Sequence, residues 1–500
     1  MTQMNWLVVY PELLLLVAAC VVALVDLYVT QPARCLTFWM TQAALAGVAL
    51  LHGLALQTGL GAEGAKASVY AMQGLVVSDP MGHLLALTAA IAMMITIAYA
   101  RPYIGSRELL KGEFFTLAMF VVLGISVMIS ANNFLVIYVG LELMSLSLYA
   151  LIALRRDHAV STEAAMKYFV LGALASGFLL YGMSMLYGAT GSLDIPEVFD
   201  AIATGQVNAT VLSFGLVFIV AGLAFKLGLV PFHMWVPDVY QGAPTSMTLM
   251  VGGAPKLAAF AITIRLLVEG LSGVAHDWQQ MLIVLAVLSL VIGNVAAIAQ
   301  TNLKRMLAYS GIAQLGFMLL GFVPTVISGN TVSAGNGYGS SLFYVLTYVL
   351  TTLGTFGLIM VLSRPGFESE QVSDLAGLAK RSPVLAGVMA VFMFSLAGIP
   401  PTVGFYAKLA VLQSLITTNS PLLLQLSIVA VLLSLVGAFY YLRVVKVMYF
   451  DEPVQTEAVA EGSGARLLLS ANALAVLVLG ILPSGLLSLC ARAITQALAG

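Results

Sequence analysis

Apolar stretches of roughly 18 or more residues run almost end to end through this 500-residue chain. That is the length an α-helix needs to cross the roughly 30 Å hydrocarbon core of a bilayer. Hydropathy places fourteen of them near 6–28, 36–56, 79–100, 114–131, 133–154, 162–188, 210–235, 245–268, 279–299, 303–323, 339–362, 383–415, 422–448 and 466–490. Each is far longer than a barrel strand. Backbone polar groups inside a membrane must bond within the protein, so the runs predict an all-α integral membrane protein. Only 9% of residues are charged, against about 25% in a soluble domain. The net charge of −1 offers no electrostatic case for nucleic acid.

The basic residues test the span count independently. Of 21 lysines and arginines, fourteen fall in odd-numbered loops, two (Lys66 and Arg492) in even loops or termini, and five inside spans. By the positive-inside rule the odd loops are cytoplasmic and both termini lie outside. The first span is expected to be retained, because the segment before Val17-Ala18-Ala19-Cys20 carries Glu12 and no basic residue. Cys20, Cys35 and Cys490 form no CxxC pair and read as small apolar packers. The linkers at 191–209, 325–338 and 451–465 are too short to fold as soluble domains.

Two spans are interrupted by proline. The seventh holds Lys226-Leu-Gly-Leu-Val-Pro231 and the twelfth Gly398-Ile-Pro400-Pro401. Proline removes a helix hydrogen bond and clashes with the preceding turn. Matching breaks in two halves are the pattern of internal repeats around a transport site; the alternative is two unrelated kinks. Their five-span separation suits two five-helix units, the second inverted because the number is odd. The expected division is 1–112, 113–270, 271–450 and 451–500.

Charges inside spans cost about 2.5–3.5 kcal/mol each on insertion scales and default to functional hypotheses. Glu142, Lys226, Lys256 and Lys408 lie deep, and Lys167 lies nearer an end, where it can snorkel. Four lysines and one glutamate cannot all neutralise one another. Either some lysines are neutral or water reaches them, which favours ion handling over static ion-pair glue. His233 follows Lys226 by seven residues, two helical turns along one face, and is a candidate relay. His52, His83, His158 and His276 look peripheral. Neither GxGxxG nor GxxxxGK[ST] occurs, so no nucleotide or flavin site is expected.

The stretch Ala224-Phe-Lys226-Leu-Gly-Leu-Val-Pro231-Phe-His233-Met-Trp235-Val-Pro237-Asp238-Val-Tyr240-Gln-Gly-Ala-Pro244 closely resembles the broken-helix signature of the antiporter-like subunits of respiratory complex I. Tyr138-Val-Gly-Leu-Glu142, Thr301-Asn-Leu-Lys304-Arg305 and Leu396-Ala-Gly-Ile-Pro400-Pro-Thr-Val-Gly404-Phe-Tyr-Ala-Lys408 support it, so the likeness covers nearly the whole chain. Among sister subunits, L carries a long C-terminal extension with a lateral helix, whereas this chain is expected to end just after its last span. M is expected to hold a glutamate where this chain has Lys408.

The resemblance implies a non-redox, proton-moving subunit of the bacterial cytoplasmic (inner) membrane. Glu142 and Lys226 would be its charged pair, Lys167 a modulator of that pair, and His233 a bridge to the central Lys256. Lys408 would face the outer half-channel. NAD, FMN, iron–sulfur clusters and quinone are expected in partner subunits and no cofactor or metal in this chain. The expected partners are the other membrane-arm subunits and lipid. The rival readings are a subunit of a multi-subunit cation/proton antiporter, a stand-alone solute transporter and a structural anchor. An accessible tag at either terminus is expected to report the outer face, and tags within 101–112 or 364–381 the cytoplasm; a cytoplasmic C-terminus would show a miscounted span.

Overall fold

With no water in hydrocarbon to bond the backbone, each apolar run closes its hydrogen bonds within itself. The computed structural model describes residues 4–61, 68–324, 331–453 and 463–499. Lys66, residues 325–330 of one predicted linker and 454–462 of another lie outside the described residues. In chain order come α1 (Tyr10–Asp26), α2 (Cys35–Gly61), a hairpin of β1 (Val69–Ala71) and β2 (Val76–Ser78), α3 (Pro80–Gly105), α4 (Gly112–Ser130), α5 (Phe134–Ile152) and α6 (Ala159–Thr190). A short α7 (Ile195–Ala203) precedes the broken seventh span, α8 (Ala209–Leu227) and α9 (Trp235–Gly242). Then follow α10 (Thr245–Gly252), α11 (Pro255–Thr263), α12 (Ala275–Ile298), α13 (Leu303–Leu319) and α14 (Thr331–Leu362). The broken twelfth span is α15 (Pro383–Ala397) and α16 (Val403–Ile416), and the chain continues through α17 (Pro421–Phe450), α18 (Ser463–Ile481) and α19 (Ser484–Leu498).

Eleven helical stretches among the described residues are long and apolar enough to cross a membrane. The other three expected spans correspond to α1 and α13, each 17 residues, and the divided α15–α16. Every expected span therefore has a helical counterpart. Two local expectations are corrected. The eighth span is not continuous: Gly253 leaves helical geometry between α10 and α11. The fourteenth does not run to 490, because α18 stops at Ile481 and, after Pro483, the amphipathic α19 packs on α14 and α3. The fold is all-α as expected, with one small addition: β1 and β2 pair antiparallel in the loop before α3.

Burial sorts the spans into axis and rim. The eighth and eleventh have 94% and 83% of their apolar windows buried, against 28% for the second, thirteenth and fourteenth. The rim carries exposed Leu54, Leu432, Leu435, Phe439 and Leu474, as lipid-facing surface does. Equivalent pairs pack through glycine in both repeats. A Cβ on Gly140 of α5 would lie 2.8 Å from the Met128 nitrogen of α4, and one on Gly293 of α12 would lie 2.8 Å from the Ala313 nitrogen of α13. These are spans four and five and spans nine and ten, one repeat apart. Small residues let helix backbones meet where lipid supplies no hydrophobic drive. Replacement of Gly140 by leucine is expected to lower stability by about 1–3 kcal/mol, the usual range for overpacking; an unchanged thermal unfolding midpoint in detergent would refute backbone-to-backbone packing there.

Candidate functional site

The two breaks have the same construction. α8 ends at Leu227 because Gly228 turns left-handed at φ +81°, and α15 ends at Ala397 because Gly398 does so at φ +83°. Glycine accepts this conformation without the Cβ clash that other residues suffer. The chain then passes Pro231 or Pro400–Pro401, which supply no amide hydrogen, before helix resumes. Each stop frees carbonyl oxygens in the membrane interior, where unpaired backbone acceptors are costly.

Buried ammonium groups meet those carbonyls. Lys256, at the start of α11, donates from Nζ to the carbonyls of Lys226 and Leu227 at 3.0 and 3.2 Å. Lys408, on α16, donates to those of Leu396 and Ala397, both at 3.0 Å, and to Ser434 Oγ at 2.8 Å. The lysine comes from the neighbouring span in one repeat and from the broken span itself in the other. Aligning Gly228 with Gly398 sets Leu396 opposite Lys226, so the second repeat has no lysine at the equivalent of Lys226.

Lys226, in the last turn of α8, donates to Ser145 Oγ at 3.0 Å and Ser176 Oγ at 3.3 Å. Glu142 lies one turn before Ser145 on α5 and within electrostatic reach of Lys226, yet the two make no salt bridge. Its buried Oε1 has no partner. Hydroxyls thus hold the Lys226 ammonium, and the Glu142 carboxylate stands off from it.

The other two assignments fare differently. His233 does not share a helical face with Lys226 as its spacing predicts, because the chain between Gly228 and Trp235 is not α-helical. No hydrogen bond joins His233 to either lysine, and its buried Nδ1 is unpartnered. Lys256 reaches the Lys226 carbonyl without an intermediary. Lys167 is 42% exposed and pairs with Glu163 and Asp238, both at 2.8 Å. Arg305 joins Asp238 at 2.6 Å, so Lys167 helps to tether α9 rather than touching Glu142 or Lys226.

Sequence reasoning missed the polar groups around Lys408. Gln314 of α13 donates to the Leu396 carbonyl, which also accepts Lys408, and to Tyr441 Oη, both at 2.9 Å; Tyr344 donates to its Oε1. Cavities of about 20 and 10 Å³ flank Gln314, the second touching Lys408, Asn294 and Ser434. Another of about 10 Å³ lies against Lys226, Lys256 and Trp235. Each is about the space of one water. In sequence, Gln314, Tyr344 and Tyr441 sit among apolar neighbours and show no motif of their own. Lys304, expected in a cytoplasmic loop, is 1% exposed and bonded to Glu370 at 2.7 Å and the Ala243 carbonyl at 2.9 Å.

Two broken helices, each with its freed carbonyls on a buried lysine, define the antiporter-like class of membrane subunits. Residues 131–434 match the transmembrane family described as NADH:quinone oxidoreductase/Mrp antiporter, and the chain belongs to it. A relative named NADH-quinone oxidoreductase subunit N, from Polaromonas naphthalenivorans, is 60% identical over 99% of this chain and 98% of its own length. A chain of respiratory complex I from Thermus thermophilus is 30% identical and superposes with a TM-score of 0.76, covering 96% of this chain and 98% of that one. A chain of the Mrp complex from Dietzia sp. shares the fold at 20% identity and a TM-score of 0.85, over 99% and 98% of the two chains.

A methyl group at Gly398 would stand 2.9 Å from Lys408 Cδ. Gly398→Ala is therefore expected to destabilise the chain by about 1–2 kcal/mol from the left-handed backbone alone, and to displace Lys408 as well; thermal unfolding equal to wild type would refute the requirement.

Proposed function

We propose that the chain is a non-redox, proton-translocating membrane-arm subunit of an NADH:quinone oxidoreductase. The observation that carries this reading is that the buried Lys256 and the half-buried Lys226 and Lys408, all within membrane spans, bond only to hydroxyl and carbonyl oxygens. A static ion pair would hold a lysine in its charged form. Neutral acceptors leave it free to release and regain a proton.

In this reading Glu142 biases Lys226 through space, and its movement or protonation loads or unloads that lysine. A proton on Lys226 repels one on Lys256, because Lys256 sits on the Lys226 carbonyl. That repulsion drives charge toward Gln314 and Lys408, with waters in the small cavities carrying the proton between donors. Lys408 delivers it to the outer half-channel. Lys167 acts through Asp238 on the position of α9, and His233 lends its unpartnered nitrogen to water near the break.

The charge alternation supports a bacterial inner-membrane protein with both termini on the outer face. The broken helices and glycine-packed pairs support repeats at 113–270 and 271–450, preceded by three helices. Identity to relatives named subunit N over nearly full length supports partnership with other membrane-arm subunits, in a complex whose NAD, FMN, iron–sulfur clusters and quinone reside elsewhere. The fold shared with the Mrp complex favours one alternative, a subunit of a multi-subunit cation/proton antiporter. Co-purification with flavin and iron–sulfur subunits distinguishes the two.

Arginine keeps a positive charge but does not deprotonate in proteins. Lys408→Arg is thus expected to assemble normally and lose pumping several-fold, and Lys408→His to lose less. Lys226→Ala and Glu142→Ala are expected to impair pumping more than assembly. Proton uptake by reconstituted vesicles, normalised to electron transfer and subunit content, is the measurement. Full pumping by the arginine variant would leave Lys408 a fixed countercharge.

A further inference from the structure

Three of the buried polar atoms without a hydrogen-bond partner line one cavity remote in sequence from the lysine row: Glu12 Oε2, His52 Nε2 and Ser126 Oγ. The cavity is about 10 Å³, lined from α1, α2, α3, α4 and the β2 strand with the residue that follows it, with space for about one water. His52 is 4% exposed. Glu12 lies in the first turn of α1, His52 in the last third of α2, His83 in the first turn of α3 and Ser126 near the end of α4. Alternate helix directions bring all four toward the membrane face that holds the termini. His52 and His83 are therefore not the unremarkable peripheral residues expected from sequence.

The two imidazoles touch through Nδ1, 3.1 Å apart, and His83 Nε2 meets Ser78 Oγ at 2.9 Å. Two nitrogens at that distance share one hydrogen between them. If His52 donates it, His52 Nε2 enters the cavity bare; if His83 donates it, His52 Nε2 carries its hydrogen into the cavity. Either tautomer leaves the cavity nitrogen seeking a partner, and Glu12 Oε2 and Ser126 Oγ seek one in the same small space. The cavity beside them has room for one bridging water.

The remaining charged groups nearby are accounted for. Asp79 of α3 accepts the Gly82 amide at 2.7 Å and pairs with the buried Arg265, which also holds Glu269 at 2.7 Å. That triad carries one net negative charge beside His83, with Tyr70 of the hairpin within its field. Ser130 of α4 also lines the cavity and bonds the Ser126 carbonyl at 3.0 Å.

We propose that Glu12, a bridging water, His52 and His83 form a second proton-binding site, separate from the lysine row and close to the face that holds the termini. One excess proton is shared between the carboxylate and the imidazole pair and passes through the water. Only a proton moves, so no oxidant or reductant is involved. Proton binding stands independently of the translocation reading, while use of the site during turnover rests on it.

The chain has five histidines, few enough for nuclear magnetic resonance of the full-length chain in lipid nanodiscs with ¹⁵N-labelled rings. His83→Asn assigns the pair. Between pH 5 and 9 the two rings are expected to titrate as a coupled unit, and Glu12→Gln, which keeps the side-chain shape, is expected to move their midpoint by about one pH unit or more. Rings that titrate independently, remain neutral throughout or ignore Glu12→Gln would overturn the site. In the assembled complex, Glu12→Gln is expected to lower protons pumped per electron; an unchanged ratio would overturn its use in turnover. Neither outcome depends on the lysine variants, which test translocation itself.

Discussion

A helix cannot stop inside hydrocarbon without stranding carbonyl groups, and a lysine cannot be buried there without acceptors. Each defect is the remedy for the other. At Gly228 and Gly398 the freed carbonyls receive the ammonium groups of Lys256 and Lys408. Removing the break would leave the lysines without acceptors, and removing the lysines would leave polar backbone exposed to an apolar interior. The rest of the bundle is arranged around this exchange: the most buried spans form the axis that excludes lipid from the lysines, while the least buried form the rim.

The repeats share a frame and differ in chemistry. Both have a glycine-capped break and a glycine-packed helix pair. The first adds Lys226 and Glu142, so a second cation lies beside the one that caps the break. The second has Leu396 at the corresponding place and surrounds its lysine with Gln314, Ser434 and tyrosine hydroxyls. Two copies of one scaffold thus set their break-capping lysines among different neighbours.

Ion pairs elsewhere mark the borders of this axis. The Asp79–Arg265–Glu269 triad fixes α3 to the end of the eighth span, and Lys167, Asp238 and Arg305 tie α6, α9 and α13 together. Breaking a buried pair leaves an uncompensated charge and costs roughly 3–5 kcal/mol, so Arg265 is suited to structure. Lys226, Lys256 and Lys408, bonded to hydroxyl and carbonyl oxygens, are not bound in that way.

Length and hydrophobicity determined the fourteen crossings, because a bilayer admits little except uninterrupted helix. The breaks at 231 and 400–401 were legible for a related reason: proline and glycine have local effects that need no partner. So were Glu142, Lys226, Lys256 and Lys408, since a charge among apolar neighbours stands out by cost alone. Tertiary structure decided everything that depends on which helices meet. It set Lys256 on the Lys226 carbonyl, held Glu142 off its lysine and carried Lys167 to Asp238. It also brought His52 to His83, 31 residues away, and drew Gln314, Tyr344 and Tyr441 into one network. These polar residues differ little from packing residues when read along one helix; their chemistry exists only where side chains from different spans share a space shielded from lipid and bulk water.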